Sequence, residues 1–178
     1  LTLPASWSDY LDGLRGHQRH ELRRNLKNLK QAGQVAFRSL ERPEELREGT
    51  ELFLSLFGSD RPDKKTFMTP SMADFFRSLA AAMARLGLLR LGLLTLDGAA
   101  AAVVFCFDYQ SRLYLYNNAY DPRFRELSVG LLSKVLSIKD AIAKSRNRYD
   151  FLKGNEKYKH HLGGKPVSVY SCSTGTGS

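Results

Sequence analysis

The sequence predicts an α/β protein of the α+β kind, with one central sheet, mixed but mostly antiparallel, flanked by helices. Three observations carry this expectation. Short β-prone runs and longer runs of helical period follow one another in the order β-α-α-β-β-β-α-β-α-β. The middle three strands are joined by turns, one of them the hairpin signal Asp97-Gly98, so they should pair antiparallel. The last of these three and the next strand are separated by a helix-length run, so those two should lie parallel through a right-handed crossover.

The elements follow in order. A basic amphipathic helix is expected from about Ser8 to Gly33, with Leu11, Leu14, Leu22, Leu26 and Leu29 on one stripe and Arg19, Arg23, Lys27 and Lys30 beside it. Gly33 ends it, and Val35 to Leu40 reads as a strand. Pro43-Glu44-Glu45 starts a second helix, its carboxylates in the first turn, where the macrodipole favours them. Gly58 to Thr69 is a charged loop, and Thr69-Pro70 caps a third helix carrying Phe75, Phe76, Leu79, Met83 and Leu86. Strands are predicted at Leu88 to Leu96, Ala99 to Asp108 and Leu113 to Ala119, the last two joined at Gln110-Ser111. A loop from Tyr120 to Glu126 leads into a helix from about Ser128 to Lys144. Tyr149 to Leu152 is a strand, Glu156 to Leu162 a short helix and Val167 to Cys172 a last strand.

Composition narrows the class. The chain has 178 residues, enough for one domain and a short extension, with 43% hydrophobic and 25% charged residues, as in an ordinary globular protein. The most apolar region, Leu79 to Leu96, is interrupted by Arg85 and Arg90 and does not read as a membrane span. No signal peptide is visible. The chain does not begin with Met, which predicts a fragment or a processed chain. Cys106 and Cys172 make no disulfide framework and no zinc spacing, so reduced thiols and a cytoplasmic location are expected, with no metal. A net charge of +9 favours an anionic partner.

The most informative stretch runs from Tyr149 to Gly163, YDFLKGNEKYKHHLG. A short apolar strand stops at a glycine, and a carboxylate, a phenol, an ammonium and two imidazoles follow at once. Strand ends are where such groups are assembled into sites. The stretch resembles the D-F-L-x-G-x-E-x-Y-K-x-x-x-G signature of the CelD/FemAB-like branch of the GNAT acyltransferases. The element order from Val35 to Cys172 is similar to the GNAT fold as well. So is Arg125-Glu126-Leu127-Ser128-Val129-Gly130, which stands where GNAT enzymes carry a Q/R-x-x-G-x-G/A loop. Ser128 departs from that pattern at the first glycine.

The resemblance implies three segments: a basic helix and linker at 1–34, a GNAT-like acyltransferase domain at 35–172, and a disordered tail at 173–178. It implies acyl transfer from acyl-CoA, as co-substrate, to an amine or hydroxyl of a small molecule or envelope polysaccharide precursor. The acyl-CoA would lie where the two parallel strands splay apart. Arg125, Ser128, Val129 and Gly130 would hold its pyrophosphate through backbone N–H groups and the helix N-terminus, and Asn118 its acyl or pantetheine amide. A serine there also offers an N-cap hydroxyl, while restricting the backbone.

Acyl transfer needs a base for the acceptor, stabilisation of the carbonyl oxygen and a proton for the departing thiolate. Glu156 is the first candidate base and Asp150 the second. Tyr158 is the candidate proton donor. His160 or His161 is the alternative base, since imidazole titrates near neutrality; adjacent on a helix, they point in different directions. Lys159, Tyr116 and Asn117 are candidate contacts for the acceptor, with Lys159 suited to an anionic one. Alternation sends Tyr114 and Tyr116 to one face of their strand and Leu113 and Leu115 to the other.

FemAB-like proteins usually contain two GNAT-like halves. The apolar stripe of the first helix is therefore expected to be exposed and to pack on an N-terminal GNAT-like half or on a second copy of the chain. Two other readings of the function remain open at this point. One is a FemAB-like transferase using aminoacyl-tRNA; the other is a non-catalytic module that binds an anion or a protein through the basic helix.

Overall fold

Two hairpins and one crossover helix set the sheet. The computed structural model describes residues 1–59 and 68–172. Strands β1 (Val35–Leu40), β2 (Leu89–Leu96), β3 (Ala99–Tyr109), β4 (Arg112–Tyr120) and β5 (Arg148–Asp150) lie side by side in chain order. The first four pair antiparallel, and β4 pairs parallel with β5. Asp97 and Gly98 have φ of 50° and 79°, and Gln110 and Ser111 have 48° and 59°. Such left-handed pairs match the twist of a two-residue hairpin.

Helices cover both faces. On one side lie α1 (Trp7–Gly13), α2 (Gly16–Ala32) and, after the helices of the other face, the crossover helix α5 (Val129–Ala143). On the other lie α3 (Pro43–Ser59) and α4 (Pro70–Arg85). The first core is built on Leu22, Leu29, Leu132, Val135, Ile138 and Tyr149. The second centres on Phe53, whose ring lies 5.3 Å from those of Phe76 and Phe105. Cys106 is buried and free, and burial pushes its thiol up to about 12, so it behaves as a small apolar residue. Among the described residues no helix is long and apolar enough to cross a membrane.

The structure departs from the sequence reading in four places. The first helix is two: Leu14 turns extended (ψ 150°), its N–H donates to Leu11 O, and α2 restarts after Arg15. The break lets both pieces turn their leucines inward. Leu11, Leu14, Leu22 and Leu29 are buried within this chain, so the stripe is not an open docking face; Arg23, Arg24, Lys27 and Lys30 stay exposed. The segment before α5 contains a 3-10 helix, Pro122–Leu127, capped by the Asp121 carboxylate on Arg123 N at 2.9 Å. No last strand forms: Val167, Val169 and Tyr170 are 85%, 94% and 89% exposed. The physical reason is that residues 1–3 already occupy the outer edge of β5. Tyr149 N donates to Leu1 O and Leu3 N to Asn147 O, both at 2.9 Å, and Thr2 bridges Arg148. The charged loop expected at 58–69 and the tail at 173–178 lie largely outside the described residues.

Phe53→Ala should lower unfolding free energy by about 3–5 kcal/mol, because it opens a cavity among three rings. Urea unfolding of the two proteins checks it; a loss under about 1 kcal/mol would mean that the second core is not packed around Phe53.

Candidate active site

The parallel pair is short. β4 and β5 are in register only at Arg112↔Arg148, Leu113↔Tyr149 and Tyr114↔Asp150. Beyond that β4 runs on to Tyr120, while the chain leaves the sheet at Phe151. The gap is a cleft of about 610 Å³ lined by Tyr116, Asn117, Asn118 and Tyr120 of β4, by Arg125, Ser128, Gly130 and Lys134, and by Glu156, Tyr158 and Lys159 from the segment after β5.

A bulge aims the β4 residues. The register with β3 slips between Phe105 and Cys106, so that Leu115 faces Cys106, Asn117 faces Phe105 and Tyr116 is the extra residue. Tyr114 and Tyr116 share a face and Leu113 and Leu115 share the other, as alternation requires. After the bulge the phase changes: Asn118 and Tyr120 sit opposite Val104 and Ala102 on the α5 side. Tyr116 packs on the other face, its ring 5.2 Å from that of Phe107 and 5.9 Å from that of Phe76.

The start of α5 forms one wall. Ser128 is left-handed (φ 54°, ψ 31°), and its side chain makes no capping bond, so it is not the ordinary serine cap its position suggests. Its carbonyl accepts from Leu131 N and Leu132 N at 3.0 and 2.9 Å. A side chain on Gly130 would stand 2.8 Å from the Tyr120 ring, so glycine is required there by packing. The first-turn N–H groups of such a helix, with its dipole, form an anion-binding end.

The opposite wall is a folded loop. The Asp150 carboxylate accepts from Leu152 N at 2.8 Å, across a left-handed Leu152 (φ 55°). Gly154 follows at φ 115°, where a side chain would meet the Glu156 carboxylate. Lys159 is buried beneath: its Nζ donates to Lys153 O at 2.8 Å and to Leu152 O and Gly154 O at 3.3 Å, and pairs with Glu156 Oε2 at 2.8 Å. That bond to Lys159 holds the Glu156 carboxyl below its ordinary value. Between the walls stands Tyr158, half-buried, with Phe151 edge-on at 6.1 Å. Burial first, and then the Glu156 charge, pushes its phenol up to about 12, so it carries its proton at neutral pH.

The profile of the Acetyltransferase (GNAT) domain family matches residues 16–160, most of the chain. The protein belongs to the GNAT acetyltransferase family. It is accordingly an acyltransferase domain. No curated protein matches it. Among solved structures, a GCN5-related N-acetyltransferase from Ralstonia eutropha JMP134 has a TM-score of 0.54 at 17% identity, over 79% of this chain and 99% of that one. Aminoglycoside N-acetyltransferase AAC(6')-Iy, in complex with CoA, has 0.52 at 13% identity, over 80% and 95%. At such identities the likeness is one of fold.

In this GNAT domain the cleft brings together Tyr116, Asn117, Asn118, Arg125, Ser128, Gly130, Glu156 and Tyr158. Val129 follows Ser128 in the first turn of α5, its side chain buried. Lys159 lines the cleft too, but its ammonium is surrounded by three carbonyls and a carboxylate, which leaves it no reach toward an anionic acceptor. Asn118 has both amide protons engaged, on Val103 O (3.2 Å) and Ser133 Oγ (3.0 Å), so it cannot donate to a pantetheine carbonyl. Asp150 and His160 are not among the lining residues. Asp150 holds the turn, and His160 Nε2 meets Asn155 Oδ1 at 2.6 Å. His161 lies 3.9 Å from Glu21 of α2. Sequence reasoning missed Lys134, which lies one helical turn beyond Gly130; that i to i+4 spacing is the signal that could have found it.

Lys159→Met should destabilise the fold by about 2–3 kcal/mol, because it removes the buried ammonium that ties the carbonyls of residues 152, 153 and 154 to Glu156. Glu156 gives a pH signature. Its carboxyl is depressed from 4.5 in the folded state, so its stabilisation is complete above the unfolded value and lost as pH falls through the folded one. Urea unfolding from about pH 7 down to about pH 3 should show wild type and Glu156→Gln converging at the acid end. Parallel curves would mean that the pair contributes nothing.

Proposed function

We propose that this domain transfers an acyl group from coenzyme A to an amine, with the donor lying between the parted ends of β4 and β5 and its phosphates on the N-terminus of α5. The observation that carries this reading is that the parted strands and the helix N-terminus line one cleft. The lining fits an anionic thioester. Arg125, Lys134 and Lys153 are cationic, Glu156 is acidic and tied to Lys159, and the volume of about 610 Å³ suits an extended small molecule.

The chemistry follows from the side chains present. The acceptor nitrogen attacks the thioester carbonyl carbon and the carbon–sulfur bond breaks. Tyr158, neutral and half-buried, gives its phenolic proton to the departing sulfur. Glu156, kept ionised by Lys159, faces the cleft as the carboxylate that attracts the protonated amine and takes the proton it must lose before attack; the second N–H proton passes to solvent as the amide forms. Tyr116, and Asn117 turned to the same face by the bulge, border the side from which the acceptor enters.

Within the family we place the chain near the CelD/FemAB-like branch, with an amine or hydroxyl of a small molecule or envelope precursor as acceptor. The support is the Asp150-to-Gly163 stretch, whose residues act as a unit: a capped turn, a left-handed glycine, a buried lysine and a paired glutamate.

Calorimetric titration with acetyl-CoA and longer acyl-CoAs should give saturable binding with Kd on the order of 10 µM. Arg125→Glu and Ser128→Trp should weaken it about tenfold or more. Absence of binding up to millimolar concentration in the folded wild type would overturn acyl-CoA as the donor.

A further inference from the structure

We propose that Lys134 is a positioning residue that governs the proton carried by Tyr158. The inference builds on the cleft as the acyl-transfer site, but its decisive measurement requires neither donor nor acceptor. Lys134 Nζ donates to Gly130 O at 2.6 Å and to Asn118 Oδ1 at 2.7 Å, and lies 4.8 Å from the centre of the Tyr158 ring. Asn118 is fixed in turn by Val103 O on β3 and by Ser133 Oγ, which donates to Gly130 O at 3.2 Å. Ser133 is fully buried. The ammonium is thus held by β3, β4 and α5 together, although lysine is ordinarily a flexible tether.

A cation over a ring face is attracted by the ring quadrupole, and more strongly once the ring carries a full negative charge. Tyr158 acquires that charge when its O–H bond breaks and the proton passes to the departing thiolate; solvent returns a proton before the next turnover. Lys134 therefore favours the phenolate. Burial and the Glu156 charge oppose it, with Glu156 already paired to Lys159. The other groups facing this region are Arg125 and Lys153 on the cleft walls, Tyr149 from β5, and the Glu21–His161 pair where α2 meets the Tyr158 helix. Among these, Lys134 is the cation that the structure places over the ring itself.

The test is an absorbance titration of a fluorinated tyrosine incorporated at position 158, which brings the phenol midpoint into measurable range. Lys134→Gln keeps hydrogen-bond donors and removes the charge; it should raise the midpoint by about one pH unit. Lys134→Arg keeps the charge and should leave it within a few tenths. An unmoved midpoint in folded Lys134→Gln, or an equal rise in Lys134→Arg, overturns the proposal. Should Lys134→Gln fail to fold, Asn118→Ala releases one anchor of the ammonium and should raise the midpoint by a smaller amount; no rise there overturns it as well. Failure of wild type to bind acetyl-CoA would sink the donor assignment while leaving the titration result intact.

Discussion

The buried ammonium of Lys159 is the constraint on which the cleft depends. After β5 the chain must leave the sheet, turn sharply and return as a helix, and such a turn exposes carbonyls with no strand to pair with. Lys159 collects three of them, at residues 152, 153 and 154, and Glu156 balances its charge. Burying a lone ammonium is costly; burying one among four oxygens is not. The loop is thereby fixed at a distance from β4, and its own hydrogen bonds hold the strand ends apart. Tyr158 sits next to Lys159 in sequence, so the residue that locks the loop also fixes the phenol beside the gap.

The other wall is set by the bulge at Tyr116. Without the extra residue, Asn118 would turn toward the α3 face and could not meet α5. With it, Asn118 reaches Ser133 and Lys134, and the strand, the crossover helix and the cleft cation become one hydrogen-bonded unit. A single inserted residue therefore separates two environments along one strand. Tyr116 and Asn117 look to the aromatic side, and Asn118 and Tyr120 to the polar side where α5 begins.

Much of this was legible in the sequence because it is local. Period and turn chemistry are properties of neighbouring residues, so the hairpin at Asp97-Gly98, the five strands of the sheet and the parallel β4–β5 pair could be read directly. The Tyr149-to-Gly163 stretch stood out for the same reason: its residues contact one another along the chain. What was not legible is tertiary. Nothing in Val167 to Cys172 reveals that residues 1–3 hold the edge those residues would need. Nothing in the Leu stripe reveals the break at Leu14 that turns it inward. Lys159 read as an anion contact because its exposure, and not its residue type, decides what it can bind. Lys134 stands one turn from Gly130, a local signal, but the partners that give it a role are Asn118, sixteen residues earlier, and a ring twenty-four residues later.

The Arg125-to-Gly130 loop shows how one departure from a family pattern is tolerated. Its two glycine positions answer to different physics. At 128 the demand is conformational: the backbone is left-handed, which costs a residue with a side chain about 1–2 kcal/mol. At 130 the demand is steric: any Cβ would press on the Tyr120 ring, and the helix cannot move away without losing the core beneath it, where Val129 and Leu132 are fully buried. Serine can meet the first demand at a modest cost; no side chain can meet the second. The departure therefore falls at 128 and not at 130. Because Tyr120 itself lines the cleft, the ring that excludes a side chain at 130 is also part of the wall of the site.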